Sequence, residues 1–485
     1  MNAGKVWLVG AGPGDPGLLT LKAARVLERA EVVVHDALVG QAVLAMVPEG
    51  AEIIDVGKRA GQHPVPQARI EQILIERGQA GLRVVRLKGG DPFLFGRGGE
   101  ELMALQEAGL DVEVVPGISS ALAVPAYAGI PVTHRDYASS LHIVTAHGRR
   151  DPAPGPPAGE AGKAGQTLED GLDYRTLAML SGTLVILMGA ASLPEICAGL
   201  VAAGKPADTP AALIERGTTA RQRSVRGNLS TLPGLVAAAG AGAPALIVVG
   251  AVAALGAQLD WRARLPLAGK RVVITRPAQR NGALADLLRD SGAEVIELPC
   301  IRTRALPGPL PALAGYDWMA FTSPAGVAHF FEKLEAENRD IREIGSARIA
   351  AIGPATAQAL RGKGLRVELI PERHETEALG EVLSGRVLAV QALQTAGTLP
   401  GERLAVYETV SLPPALVPED VDYLAFASAS AVEAFRAACP QMRAVAACIG
   451  PTTAQAARAA GYTVRMAKEA TIPSLVACMK EDSTC

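Results

Sequence analysis

Between residues 4 and 22 the chain reads GKVWLVGAGPGDPGLLTLK, and few folds accept such a stretch. Val6-Trp7-Leu8-Val9 is apolar and too short for a helix, which marks a buried strand. Gly10, Gly12, Pro13, Gly14 and Gly17 follow, packed around Asp15 and Pro16, and Leu18, Leu19, Leu21 and Lys22 open a helical spacing. Strand, glycine turn and helix make a cradle in which backbone without Cβ can come close to a ligand. The spacing argues against a dinucleotide fingerprint. Pro13 and Pro16 stand where a G-x-G-x-x-G helix would begin, and they remove two amide donors that a pyrophosphate would use. The loop suits a ligand without a phosphate chain, or is a tight βα turn with no ligand; this stretch alone leaves both open.

The pattern returns. Glu31-Val32-Val33-Val34-His35-Asp36 is a buried strand ending in a polar pair, and Ile53-Ile54-Asp55-Val56 delivers Gly57-Lys58-Arg59. Val84 to Lys88 runs into Gly89-Gly90-Asp91-Pro92, and Val112 to Val115 into Pro116-Gly117-Ile118-Ser119-Ser120. Helical spacing follows most of these turns, so the expectation is a parallel sheet with its loops on one rim, where α/β folds collect their chemistry. Taken singly, Asp91 could cap a turn and Asp36 a helix. Five glycine-rich turns on one rim exceed what connectivity needs.

A chain of 485 residues suits two to four domains. Lys+Arg of 47 against Asp+Glu of 49, with no basic cluster, argues against a nucleic-acid partner. Cys197, Cys300, Cys439, Cys448, Cys478 and Cys485 show no C-x-x-C, so neither a disulfide framework nor a metal site is expected, and a reducing cytoplasm is. The chain starts directly into a strand without a signal segment. The uncharged stretch from Gly227 to Leu259 is broken by Pro233 and Pro244, and reads as a helix and then the strand Ala245 to Val249 rather than a membrane span. The chain is expected to be soluble. Residues 152–170, rich in Pro, Gly and Ala, read as a mobile surface insertion.

GAGPGDPGLLTLKA, HDALV, KGGDPFLFGRGGEE and VVPGISSALAVPAYAGIPVTHR resemble the S-adenosylmethionine-dependent tetrapyrrole methylases, specifically uroporphyrinogen-III C-methyltransferase. The resemblance covers about residues 4–258. It implies an α/β domain over 1–258 with subdomains of about 1–117 and 118–258 and a cleft between them. The methyl donor, leaving as S-adenosylhomocysteine, would lie on Pro13, Gly89, Gly90, Asp91, Leu94, Ser119, Ser120, Met188 and Gly217. Met188, ending Leu184-Val185-Ile186-Leu187, would by itself be taken for a core residue. By resemblance Asp36 is a proton acceptor and Lys58 a donor, although His35 stands where an aromatic is more usual. Methyl transfer to a pyrrole carbon needs alignment, and a carboxylate can then take the proton that must leave. Arg59, Arg97, Arg135 and Arg149 are candidates for substrate carboxylates, against a solvated surface role for each. The resemblance also implies a homodimer through this half.

After a linker at 259–268 the chain starts afresh at Gly269-Lys270-Arg271-Val272-Val273-Ile274-Thr275-Arg276. Two stretches then recur. Tyr316 to Phe331 matches Val421 to Arg436, and Arg348 to Glu368 matches Ala444 to Val464. The duplicated unit is strand, Ser/Thr turn, helix, strand, Gly-Pro-x-Thr turn, helix, and it implies two similar lobes. Gly269 to Cys300 would join the C-terminal part, with the chain crossing between lobes near 301 and 412. Thr322, Ser323, Thr356, Ser428, Ser430, Thr452 and Thr453 sit at helix N-termini, which favour anions, though N-capping would explain each hydroxyl.

The bilobed repeat, AVYETV around Tyr407 and IGPTTA around Thr452 make residues 269–485 similar to uroporphyrinogen-III synthase. That family closes hydroxymethylbilane into uroporphyrinogen III, and the resemblance puts Tyr407 and Thr452 near the leaving hydroxyl. The product of the second half would then be the substrate of the first, giving precorrin-2 for sirohaem or cobalamin. A rival is a methylase acting on RNA or protein, with a C-terminal binding module that does not turn over.

Overall fold

The computed structural model describes residues 4–48, 50–57, 65–146, 172–275, 282–373, 376–395, 399–412 and 419–483. Lys58, Arg59, Arg149 and the stretch 152–170 lie outside the described residues. The described strands form four five-stranded sheets.

The first sheet contains β1 (Lys5–Gly10), β2 (Val32–His35), β3 (Glu52–Asp55), β4 (Val84–Lys88) and β5 (Asp111–Val115), in the order β3-β2-β4-β1-β5 with every pair parallel. Parallel strands buried on both faces read as continuous apolar runs. Val6, Leu8 and Val84 pack with Leu74 and Leu105 on one face, and Val9, Val33 and Val85 pack with Leu27 and Val43 on the other. Because β4 and β5 flank β1, the loops after these three strands leave from neighbouring points of one edge, the arrangement that holds ligands in open α/β sheets.

The second sheet is mixed. It holds β6 (Leu141–Thr145), β7 (Thr183–Leu187), β8 (Pro210–Glu215), β9 (Arg223–Asn228) and β10 (Ala245–Val249), ordered β6-β7-β10-β8-β9. β6 and β7 run parallel, β10 runs against both β7 and β8, and β9 runs against β8. The uncharged stretch resolves into the helix Leu232–Ala239, closed by Gly240 at φ +58°, and strand β10. No described helix is long and apolar enough to cross a membrane.

The remaining strands are β11 (Arg271–Ile274), β12 (Glu294–Glu297), β13 (Ile301–Ala305), β14 (Trp318–Phe321), β15 (Arg348–Ala351), β16 (Val387–Ala392), β17 (Glu402–Ser411), β18 (Tyr423–Phe426), β19 (Val445–Cys448) and β20 (Thr463–Met466). They form an all-parallel sheet β12-β11-β18-β19-β20 and a sheet β13-β17-β16-β14-β15 in which only β13 runs antiparallel. The repeat has its structural counterpart. β14, the helix Pro324–Ala336, β15 and the helix Pro354–Gly362 follow the same succession as β18, the helix Ala429–Ala438, β19 and the helix Pro451–Ala459. The chain divides into two compact units. Met1–Leu298, Ala415–Val432 and Gln441–Cys485 make the first, and Pro299–Pro414 with Glu433–Pro440 the second.

Within the first unit the edge of the first sheet is drawn together where three glycines meet. A Cβ on Gly10 would lie 2.5 Å from Gly117 Cα and 2.7 Å from Gly90 O, and one on Gly117 would lie 2.2 Å from Gly90 O. These are backbone neighbours that cannot swing aside. We expect Gly117→Ala to destabilise the full-length protein by about 1–3 kcal/mol in urea titrations, the usual penalty for overpacking. Gly99→Ala, where a Cβ meets nothing within 4 Å, should be neutral or slightly stabilising. Equal midpoints for the two variants would contradict this account.

Candidate active site

The glycine contact is fastened by hydrogen bonds. Gly12 and Gly90 form an antiparallel bridge (Gly90 N to Gly12 O 2.7 Å, Gly12 N to Gly90 O 3.2 Å), both at φ +70°, and Ala11 N donates to Lys88 O at 2.7 Å. Asp91 accepts from Phe93 N at 2.8 Å through one oxygen and from Gly117 N at 3.0 Å through the other. It therefore ties the turn after β4 to the loop after β5 rather than capping one turn alone.

After β1, the helix expected to open at Leu18 does not do so. Asp15 caps a single 3-10 turn at Pro16–Leu18, and the helix proper is Leu21–Leu27, capped by Thr20 Oγ1 accepting from Ala23 N at 3.1 Å. The intervening turn carries the helix start away from the glycine turn, which presents loop backbone to a ligand.

Edge loops of the second sheet reach the same place. Thr218 Oγ1 accepts from Asp15 N at 3.2 Å, and Tyr127 donates its hydroxyl to Asp15 Oδ2 at 2.9 Å. Burial, then the Asp15 charge, pushes the Tyr127 phenol well above its usual range, so it stays a donor. Gln222 braces the turn, accepting from Thr218 N at 2.7 Å and donating to Tyr127 O at 2.9 Å. A Cβ on Gly217 would lie 2.3 Å from Val124 Cγ1, so only glycine lets this loop rest on the helix Ser120–Tyr127. Of seven non-glycine residues at positive φ among those described, five occupy the loops after β4, β7 and β8: Phe95, Arg97, Met188, Arg216 and Thr218. Such strain gathers where a site is over-determined by its surroundings.

The sequence-derived residues fall as follows. Pro13, Gly89, Asp91, Leu94, Ser119 and Ser120 are half-buried at this edge. Ser119 caps the helix Ser120–Tyr127 by accepting from Ala121 N at 3.2 Å, and Leu94 packs on the apolar cluster that holds Ala121, Val124 and Val185. Met188 is 46% exposed, against the core position its apolar run suggests. Leu38, Phe93, Phe95 and Ile118 are also exposed on the loops after β2, β4 and β5. Arg97 pairs with Glu100 on the surface, and Arg135 is exposed.

Sequence reading missed a buried charge cluster beneath the edge. Arg86 and Lys88, two apart on β4, face the side covered by the helices Gln67–Gln79 and Gly98–Glu107. There they meet Glu101, which is fully buried. Arg86 Nη2 donates to Asp36 Oδ1 at 2.5 Å. Burial, and next the Arg86 charge, lowers the Lys88 ammonium below its ordinary range, with Glu101 opposing. The one available signal was two cations inside a strand otherwise apolar on both faces.

In the second unit, Tyr407 on β17 is buried and shares a 2.9 Å hydrogen bond with Ser323 Oγ, which also accepts from Gly326 N at 2.9 Å. His329 stacks on the Tyr407 ring at 5.4 Å, with Nδ1 at 2.8 Å from Glu332 Oε2 and Nε2 at 2.8 Å from Thr303 Oγ1. Thr452, exposed on its helix, belongs to the first unit. Ser323 and Ser428 cap their helices, whereas Gly353 and Gly450 hold the cap positions before Thr356 and Thr452. N-capping therefore does not account for Thr356, Thr452 or Thr453, and Thr356 and Thr453 are buried.

Residues 5–233 match the tetrapyrrole (corrin/porphyrin) methylases, and residues 282–477 match uroporphyrinogen-III synthase HemD. The porphyrin biosynthesis protein HemD of Ruminiclostridium josui is 38% identical over 507 residues, covering 98% of this chain and 97% of the relative. The S-adenosyl-L-methionine-dependent uroporphyrinogen III methyltransferase of Methanosarcina barkeri is 50% identical over 251 residues, 52% of this chain and 92% of its own. The uroporphyrinogen-III C-methyltransferase of Bacillus subtilis is 39% identical over 373 residues, 76% of this chain and 74% of its own.

Asp91→Ala leaves two amides without their acceptor. It should cost about 1.5–3 kcal/mol in urea unfolding, the range for hydrogen bonds to a charged group, and Asp91→Asn, which keeps one acceptor oxygen, should cost less. A smaller loss for Ala than for Asn would refute the stapling role.

Proposed function

Because the chain belongs to the tetrapyrrole (corrin/porphyrin) methylases through its first half and to the uroporphyrinogen-III synthases through its second, we propose that it builds a macrocycle and then methylates it. Residues 269–485 close hydroxymethylbilane to uroporphyrinogen III, and residues 1–258 add two methyl groups to give precorrin-2, leading to sirohaem or cobalamin. The protein works in the cytoplasm as a homodimer joined through its methylase half.

One observation carries the first activity: loops from two sheets converge at the Asp15–Thr218 contact, beside half-buried polar groups and exposed apolar side chains. The edge suits S-adenosylmethionine. It offers loop backbone and carboxylates in place of a phosphate-binding helix start, and Gly10, Gly90 and Gly117 keep it clear of side chains. Pro13, Gly89, Gly90, Asp91, Leu94, Ser119, Ser120, Met188 and Gly217 would hold it. When bound, this cofactor supplies an electrophilic methyl group. Leu38, Phe93, Phe95 and Ile118 suit the apolar ring of the substrate, and Arg97 suits its carboxylates. Asp36 takes the proton that must leave the macrocycle once a ring carbon has been methylated, with Lys58 as donor elsewhere in the cycle.

For the second activity, the Tyr407 hydroxyl, fixed by Ser323, is suited to assist departure of the bilane hydroxyl; Thr452 is a separate candidate for this activity. Folding the linear chain into the right shape supplies much of the rate.

The decisive experiment incubates the full-length protein with hydroxymethylbilane and S-adenosylmethionine and resolves the products by mass. A dimethylated type III macrocycle is expected; methyl transfer to RNA or protein with none to the tetrapyrrole would replace this reading. Asp36→Ala should lower methylation of supplied uroporphyrinogen III by about 10²-fold or more with calorimetric S-adenosylhomocysteine affinity intact. Tyr407→Phe should slow formation of the III isomer while methylation of supplied uroporphyrinogen III stays at the parent rate. An unchanged isomer ratio would remove Tyr407 from the mechanism.

A further inference from the structure

The buried cluster beneath Asp36 costs more than packing requires. Side-chain exposure is 2% for Arg86, 4% for Lys88 and 0% for Glu101, against 32% for Asp36. Burying an ion pair is seldom better for stability than apolar residues of the same volume, so the group calls for another reason. Its bonding is lopsided. Glu101 Oε1 accepts from Lys88 Nζ at 2.8 Å, Gln67 Nε2 at 3.2 Å and Arg86 Nε at 3.3 Å. Glu101 Oε2 is buried with no partner among the described residues. Arg86 spans the gap, with Nε on Glu101 and Nη2 on Asp36 Oδ1. Nη1 is held by the carbonyls of Val34 and Leu87, each at 3.4 Å.

A guanidinium fixed at three points presents one edge in one direction. That edge meets the half-exposed carboxylate at the end of β2. We propose that Arg86, oriented by Glu101, is a positioning residue that fixes the Asp36 carboxylate for proton removal during methyl transfer. This rests on the methylase reading and on Asp36 as acceptor. Arg86 occupies Oδ1, leaving Oδ2 for the proton. A bond forms from a fully substituted pyrrole carbon to the methyl group as the S–CH3 bond breaks and S-adenosylhomocysteine leaves. A C–H bond at a neighbouring bridge carbon of the macrocycle then breaks, its electron pair neutralises the cationic ring, and the proton passes to Oδ2 and then to water. Two cations, Arg86 and Lys88, balance two anions, Glu101 and Asp36.

The test is a mutant cycle in the full-length protein, with S-adenosylmethionine and uroporphyrinogen III as substrates. Arg86→Met with Glu101→Gln removes one positive and one negative charge together, which keeps the cluster neutral but removes the bridge. We expect kcat to fall at least about tenfold, KM for uroporphyrinogen III to stay within about twofold, and S-adenosylhomocysteine affinity to be unchanged. Adding Asp36→Asn to that pair should cost less than Asp36→Asn costs in the parent, since groups acting as a unit are not additive. Fully additive losses, or parent turnover in the double variant beside a slow Asp36→Asn, would overturn the positioning role and leave the methylase reading standing. Parent turnover in Asp36→Asn itself would overturn both. Should the double variant fail to fold, Arg86→Lys keeps the buried charge yet cannot span both carboxylates, and it should show the same kcat loss; parent kcat there would refute the proposal.

Discussion

The candidate methylase site depends on a contact between backbones. Gly10, Gly90 and Gly117 come from the ends of β1, β4 and β5, and their main chains lie closer than any side chain would allow. Parallel neighbours bring strand ends together, but bulky residues would splay the loops that follow. Here the loops stay in register: Gly12 and Gly90 bridge, and Asp91 reaches across to Gly117 N. A rim built this way holds its backbone at fixed points, preorganised without the entropy of long side chains.

Below this neutral, tightly packed layer lies a charged one. Arg86 and Lys88 follow Val84 on one face of β4 and replace what would otherwise be further apolar packing. Glycines set where the backbone can go; the buried ions set where one carboxylate points. The two layers share β4, since Lys88 O accepts from Ala11 N while Lys88 Nζ donates to Glu101. Position and charge at the edge are thus set by neighbouring residues of one strand.

Much of this was legible in the sequence, for physical reasons. Short apolar runs ending in glycine turns specify a parallel sheet with one functional edge, and the first sheet has that form. The internal repeat specified the succession β14 to β15 and its counterpart β18 to β19, because like sequences bury like faces. What escaped were features that depend on partners remote in sequence. Thr218 meets Asp15 across 203 residues, and nothing local to either signals it. Glu101 reads as an exposed acid in a helix's first turn until the sheet below it is known to carry two cations. The helix start was misplaced because Thr20, a good cap, outweighs the apolar spacing of Leu18 and Leu19. The second sheet's mixed pairing was likewise hidden, since a buried strand looks alike in either direction.

The turn between β8 and β9 has two sets of partners. Thr218 and Gln222 hold the candidate cofactor edge through Asp15 and Tyr127. Between them, Ala220 N donates to Glu294 Oε2 at 2.7 Å, and Arg221 reaches Asp422 at 3.2 Å, Gly269 O at 3.1 Å and Asp420 O at 2.6 Å. Glu294 is itself paired with Arg271, both largely buried, and Asp422 also accepts from Arg271 N at 2.8 Å. An exposed ion pair would contribute little, but charge-assisted bonds to backbone and to buried partners resist displacement. With strained φ at Arg216 and Thr218, the turn has little freedom to move at one end alone. This is why the first unit includes the parallel sheet of the second half along with both sheets of the first. The fusion of the two halves is therefore a packed joint as well as a covalent one, and it runs through the turn that also closes the methylase edge.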